Sequence, residues 1–255
     1  MNYFDCHADT LTEIVKPGDS LDENSGDLDL RRAGDFVEKY TQIFAVWKDA
    51  EKLDREDPDR DFLRLYHRAM AYLEDENRKI ALCHNGAEME KAHRQGKAAA
   101  FLSIEDLSVM GKHIETAYEM GFRFAMPAWN YENKYACGAA FDQTKGLTSE
   151  GKAIVKTLTE QGIVIDVSHL SDQGVDDLFE ITDRPIMASH SDIREVWNMP
   201  RNIQKSHLAE LICRKGLIGM NFCAAFVGEK PQISDLLKHM DAVLEMGGED
   251  CLAIG

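Results

Sequence analysis

Paired cysteines, an excess of positive charge and long apolar runs are all missing from this sequence. The six cysteines, Cys6, Cys83, Cys137, Cys213, Cys223 and Cys251, are scattered without a CxxC pair, which suits reduced thiols better than a disulfide framework. No apolar run approaches the ~20 residues needed to cross a bilayer. The chain passes from Met1 into a strand-like run within a few residues, leaving no room for the basic and apolar segments of a secretory leader. A cytoplasmic location without a membrane partner is therefore expected. Basic residues are scarce too: 29 Lys and Arg face 45 Asp and Glu, a net charge of -16. That balance opposes a nucleic-acid partner, because phosphate binding relies on clustered Lys and Arg that release counterions. Internal repeats, low-complexity tracts and an obvious linker are likewise absent.

What the 255 residues do contain, at 44% hydrophobic content, is enough to bury a core for one α/β barrel or two smaller domains. Eight short β-like runs recur: 2–6 (NYFDC), 42–47 (QIFAVW), 98–104 (AAAFLSI), 122–129 (FRFAMPAW), 163–169 (IVIDVSH), 185–190 (PIMASH), 216–222 (GLIGMNF) and 251–255 (CLAIG). Amphipathic helical stretches separate most of them. Residues 61–77 place Phe62, Leu65 and Leu73 at helical spacing, and residues 149–162 carry Ile154, Val155 and Leu158 on one side before Gly162 stops the helix. Strands that are near-continuously apolar and alternate with helices indicate a parallel sheet covered by helices. Eight of them predict a (β/α)8 TIM-type barrel, with residues 1–255 forming a single barrel domain that ends in strand eight. The charged segment 48–60 is expected to be a solvated loop and helix start.

In such a barrel, functional side chains gather at the C-terminal ends of strands. Strand one ends in His7 and Asp9, which two-residue alternation puts on one side. Strand three ends in Glu105, strand five in His169 and strand six in His190. The other six histidines, His67, His84, His93, His113, His207 and His239, lie among charged residues and are expected at the surface. Imidazole nitrogen and carboxylate oxygen suit zinc, with manganese and cobalt as close competitors. One ion does not need five ligands. Two ions about 3.5 to 4 Å apart, bridged by a carboxylate and a hydroxide, use all five, and Glu105 is the natural bridge. Two divalent cations against two carboxylates and a hydroxide leave a residual positive charge that favours an acidic substrate.

These residues sit in stretches that resemble the membrane dipeptidase (renal dipeptidase) family of binuclear zinc peptidases, in its soluble bacterial form. The stretches are DCHADT, IEDLSVM followed by YEMGFRF, GLTSEGKAIVKTLTEQGIVIDVSHLSD, PIMASHSDIREVWNMPRN and GLIGMNF. The resemblance implies a distorted (β/α)8 barrel that hydrolyses dipeptides by a metal-bridging hydroxide, often tolerating a D-residue at the C-terminal position. It implies that His7 and Asp9 bind one zinc, His169 and His190 the other, and that Glu105, the catalytic carboxylate, bridges them. Arg201 matches the arginine that pairs with the substrate carboxylate, a task a guanidinium fork performs bidentately.

Three departures from the family's pattern stand out. Asp106 follows the bridging glutamate where relatives usually carry glycine, a change expected to affect the loop more than the metals. Trp129 occupies the position of a substrate-contacting histidine in the vertebrate enzymes; its indole N–H can still donate a hydrogen bond to substrate. The family's catalytic aspartate follows strand eight, so it is expected beyond Gly255, together with the last helix. A chain without that helix exposes apolar strand surface that a homo-oligomer would cover. Two alternatives stay open on these grounds: a non-catalytic or severely impaired binding relative, and another amidohydrolase acting on cyclic amides.

Overall fold

The computed structural model describes residues 2–13, 19–49, 52, 57–75 and 77–255. These fall into two compact units, Met1–Glu105 with Val109–Arg123 and Asp106–Ser108 with Phe124–Gly255.

The first unit runs β1 (Asn2–Ala8), α1 (Thr10–Glu13), α2 (Leu30–Gly34), β2 (Lys39–Trp47), α3 (Pro58–Leu73), β3 (Ile80–Leu82), α4 (Gly86–Arg94) and β4 (Ala98–Glu105). Its strands pair in parallel in the order β1-β2-β4-β3. β2 is buried from Tyr40 through Val46, the continuous apolar profile of a strand covered on both faces. Side-chain oxygens start the helices. Asp57 accepts the Arg60 N–H at 3.0 Å ahead of α3, and Asn85 accepts the Glu88 N–H at 3.0 Å ahead of α4. The Asp57 cap explains why α3 begins three residues before the predicted 61. In the charged segment before it, residues 50, 51 and 53–56 lie outside the described residues.

The second unit contains β5 (Phe122–Met126) from Phe124 onward, α5 (Ser149–Gln161), β6 (Val164–Ile165), α6 (Asp172–Ile181), β7 (Met187–Ala188), α7 (Lys205–Cys213), β8 (Leu217–Met220), α8 (Ala224–Val227), α9 (Ile233–Glu245) and β9 (Leu252–Ile254). Its strands are also parallel. β5 pairs with β6, an Asp166–Met187 bridge continues to β7, and β8 and β9 follow. All eight expected runs are strands, and the expected helix at 149–162 is α5. Its cap Thr148 accepts the Gly151 N–H at 3.0 Å, and Gly162 closes it in the left-handed region at φ 100°. β6 and β7 are shorter than their predicted runs. Past Ile165 the Asp166 carboxylate takes the N–H groups of Ser168 and Ser189, replacing the ladder bonds that a longer strand would make.

Two histidines depart from the expected surface placement. His207 and His239 are buried, at 3% and 0% exposure. His239 has both ring nitrogens hydrogen-bonded and His207 its Nε2. His207 Nε2 meets Asp176 Oδ1 at 2.9 Å, while His239 Nδ1 accepts the Ile193 N–H at 2.9 Å and its Nε2 donates to Val227 O at 3.2 Å. A histidine so satisfied can be buried without the cost of an unpaired polar group. His67 is exposed, and His84, His93 and His113 are half-buried.

Candidate metal centre

In the first unit, the end of β1 and the end of β4 bring three of the expected residues together. The β1–β2 register shifts between Asp5 and Ala8, a bulge of the kind that re-aims side chains beside functional sites. The Asp5 carboxylate steadies that turn by accepting the His7 N–H at 3.0 Å and the Gln42 side-chain N–H at 2.8 Å. His7 Nε2 then faces Glu105 Oε2 at 3.3 Å and Asp9 Oδ1 at 3.6 Å. Glu105 is buried at 3% exposure. Burial alone pulls the His7 pKa down, but the Glu105 and Asp9 carboxylates outweigh it and push it well above the ordinary range. An imidazole nitrogen set against two carboxylates, one fully buried, is a place where positive charge is held.

In the second unit, the ends of β6 and β7 present His169 and His190, with Nε2 atoms 2.9 Å apart. Their other ring nitrogens are taken. His169 Nδ1–H donates to Asn130 Oδ1 at 2.7 Å, and His190 Nδ1 meets Ser189 Oγ at 2.7 Å. The Asn130 oxygen accepts only, so it fixes the tautomer of neutral His169 and leaves its Nε2 lone pair pointing at His190. Two imidazole nitrogens aimed at one another need a shared proton or cation between them. That is the arrangement expected of ligand histidines whose second nitrogen is oriented by an outer hydrogen bond. The donor set of each unit therefore fits a divalent ion of the borderline class.

Backbone geometry contributes to this presentation. His169 and Asp106 both adopt left-handed φ, 70° and 75°, which non-glycine residues seldom do away from functional turns. Asp106 keeps the turn by making its carboxylate a hub. It accepts from Ser108 N at 2.8 Å, Ser108 Oγ at 2.6 Å, Asn133 Nδ2 at 2.7 Å and Trp129 N at 3.4 Å. The loop it ties down carries Trp129, whose half-buried ring lies 5.9 Å from that of His169. Arg201 is 7% exposed. Its fork donates to Ser191 Oγ at 3.1 Å and to the His190 carbonyl at 3.2 Å, so it belongs to the surroundings of His190. Nearby Asp192, fully buried, has its pKa pushed up to about 7 by burial, against the Asn221 N–H and the Arg201 charge.

Sequence reasoning did not identify Asn130 or Asp166. Asp166 was legible in principle, because an aspartate inside the apolar run IVIDVSH must find donors to be buried there. It does: one oxygen accepts the N–H of Ser168 at 2.9 Å and of Ser189 at 3.0 Å, each the residue immediately before a candidate histidine.

Residues 1–255 match the sequence model of the family described as membrane dipeptidase (peptidase family M19). An uncharacterized protein of Acinetobacter calcoaceticus, encoded in the PQQ-III 3' region, is 27% identical over 72% of this chain and 62% of its own length. The chain thus spans less than two thirds of that relative. Among solved structures, one of a metallopeptidase described as dipeptidase AC superposes with a TM-score of 0.87 at 23% identity, covering 100% of this chain and 84% of that one. A metallopeptidase of Rhodobacter sphaeroides, liganded with a phosphinate mimic of the dipeptide L-Ala-D-Ala, gives 0.86 at 22% identity, covering 100% and 85%. The fold class is the expected one, an α/β barrel of the TIM type.

Proposed function

The chain belongs to the membrane dipeptidase family, and from that premise we propose that it is a metal-dependent hydrolase of dipeptides, including those with a C-terminal D-residue. The observation that carries the reading is the buried His169–His190 pair, with Nε2 atoms converging at 2.9 Å and both Nδ1 atoms occupied. His7, Asp9 and Glu105 would hold one side of a two-ion centre and His169 and His190 the other, with Glu105 as the shared carboxylate. Zinc suits this donor set best, with manganese and cobalt close behind. When bound, such ions supply an acidified water and polarisation of the scissile carbonyl.

The chain's own residues bind and orient the substrate and the ligand imidazoles. Arg201 takes the substrate's terminal carboxylate through its fork, giving up its donation to Ser191 Oγ for a charge-assisted pair. Trp129, braced by Asp106 through its backbone, forms an apolar wall that contacts the substrate side chain and offers its indole N–H. Asn130 and Ser189 keep the two imidazoles turned so that their Nε2 atoms face the reacting centre. Assaying the metal-loaded protein on L-Ala-D-Ala, L-Ala-L-Ala and a cyclic amide tests the reading. Dipeptide turnover that disappears with a chelator and returns with added zinc is expected. Opening of the cyclic amide with no dipeptide turnover contradicts it.

A further inference from the structure

The segment that carries Arg201 has no regular secondary structure between β7 and α7, yet Arg201 must present its fork in one orientation to pair with a carboxylate. What fixes the segment is a second arginine. Arg194 Nε donates to the Asn202 carbonyl at 2.9 Å, and its Nη2 donates to the Pro200 carbonyl at 3.0 Å. These are the carbonyls on either side of Arg201. The rest of the Arg194 guanidinium is gripped by Asp172, with Nη1 to Oδ2 at 2.6 Å and Nη2 to Oδ1 at 2.8 Å, the bidentate geometry that gives an arginine–carboxylate pair its directionality. Asp172 opens α6, three residues after His169. The backbone completes the frame: Arg194 N–H donates to Ile203 O at 2.9 Å, and Ile203 N–H to Asp192 O at 2.8 Å. One planar group thus links the start of α6 to both flanks of Arg201.

We propose that Arg194, held by Asp172, is a positioning residue for substrate recognition: it sets where Arg201 offers its guanidinium, without itself touching substrate or metal. The inference rests on the reading that Arg201 binds the terminal carboxylate. It separates Arg194 from a merely structural residue, because its loss should act on the carboxylate and not on the metal centre. Lysine in its place keeps the charge but cannot donate to two carbonyls and a carboxylate at once in one plane.

The test uses the metal-loaded protein and two probes in binding calorimetry: a phosphinate dipeptide mimic with a free terminal carboxylate, and the same mimic with a terminal amide. Arg194→Lys is expected to weaken the carboxylate probe about tenfold to a hundredfold, the scale of a misplaced positioning contact. It should leave the amide probe and the bound metal per chain unchanged. Asp172→Asn, which keeps two polar atoms facing Arg194, gives a milder variant should the lysine protein fold poorly, and is expected to shift the same probe in the same direction. In an Arg201→Lys background, Arg194→Lys should cost nothing further. Equal weakening of both probes, a drop in bound metal, or undiminished loss in the Arg201→Lys background overturns the proposal. If Arg201→Lys weakens the carboxylate and amide probes alike, it is the underlying reading of Arg201 that fails.

Discussion

A buried polar residue is tolerable only when its donors and acceptors are met, and in this protein several such residues surround the candidate ligands. Asp166 has the clearest energetic role, since one oxygen serves two backbone N–H groups on neighbouring strand ends. Asp166→Ala leaves both N–H groups without that acceptor and should destabilise the fold by about 3 kcal/mol, whereas Asp166→Asn, which retains an acceptor oxygen, should cost less than half as much. Urea unfolding of the two variants measures the difference, and equal losses would contradict the bridging role. His239 makes a pH-dependent contribution. Burial lowers its pKa below the ordinary 6.5, against the pull of the Val227 carbonyl and Asp235. The Ile193 N–H also occupies the Nδ1 lone pair that a second proton would need. The unfolded chain takes up a proton near 6.5 that the folded chain resists. This stability is therefore present above about pH 6.5 and is lost as pH falls towards the lower folded value. His239→Gln should flatten the melting temperature over that acidic window, and an unchanged slope would count against the assignment.

Elements turn these residues into a site. The strand ends are where the chain leaves the ladder and polar side chains take over its hydrogen bonds, which is why β6 and β7 are only two residues long. Eight strands and helix α5 were legible in the sequence because their signals are local: apolar runs, apolar residues at helical spacing and a terminating glycine. β3 was not, because three residues, Ile80–Leu82, carry too little pattern to stand apart. The residues expected to bind metal were legible as residue types at strand ends. The hydrogen bonds that orient them were not, since Asn130 lies 39 residues from His169 and no local spacing pairs them. Nor does sequence announce a left-handed histidine such as His169 at φ 70°, because only glycine advertises that conformation. The local signals can be tested where they act. Gly162→Ala forces an L side chain into φ 100° and should cost about 1 kcal/mol or more. Thr148→Ala removes the cap at the other end of α5 and should cost about 1 kcal/mol. Thermal unfolding reads both, and a neutral result at either site would show that α5 is held by packing alone.

Across the whole chain, a net charge of -16 coexists with buried carboxylates at Asp5, Glu105, Asp166 and Asp192. Bringing divalent cations to such an interior offsets like-charge repulsion and desolvation together. Ions that bind only the folded chain stabilise it by mass action, by about 2.7 kcal/mol when present at a hundred times their dissociation constant. Exhaustive chelation should therefore lower the melting temperature, and added zinc should restore it. Among the described residues no helix is long and apolar enough to cross a membrane. The central claim is that His7, Asp9, Glu105, His169 and His190 together hold two divalent ions. The most direct measurement is the metal content of the purified, zinc-equilibrated protein by elemental mass spectrometry, beside the Glu105→Gln and His190→Ala variants. About two ions per chain in the parent, with loss of both in Glu105→Gln and of one in His190→Ala, is the predicted result. A parent that binds less than one ion per chain, or variants that keep the full complement, would contradict it.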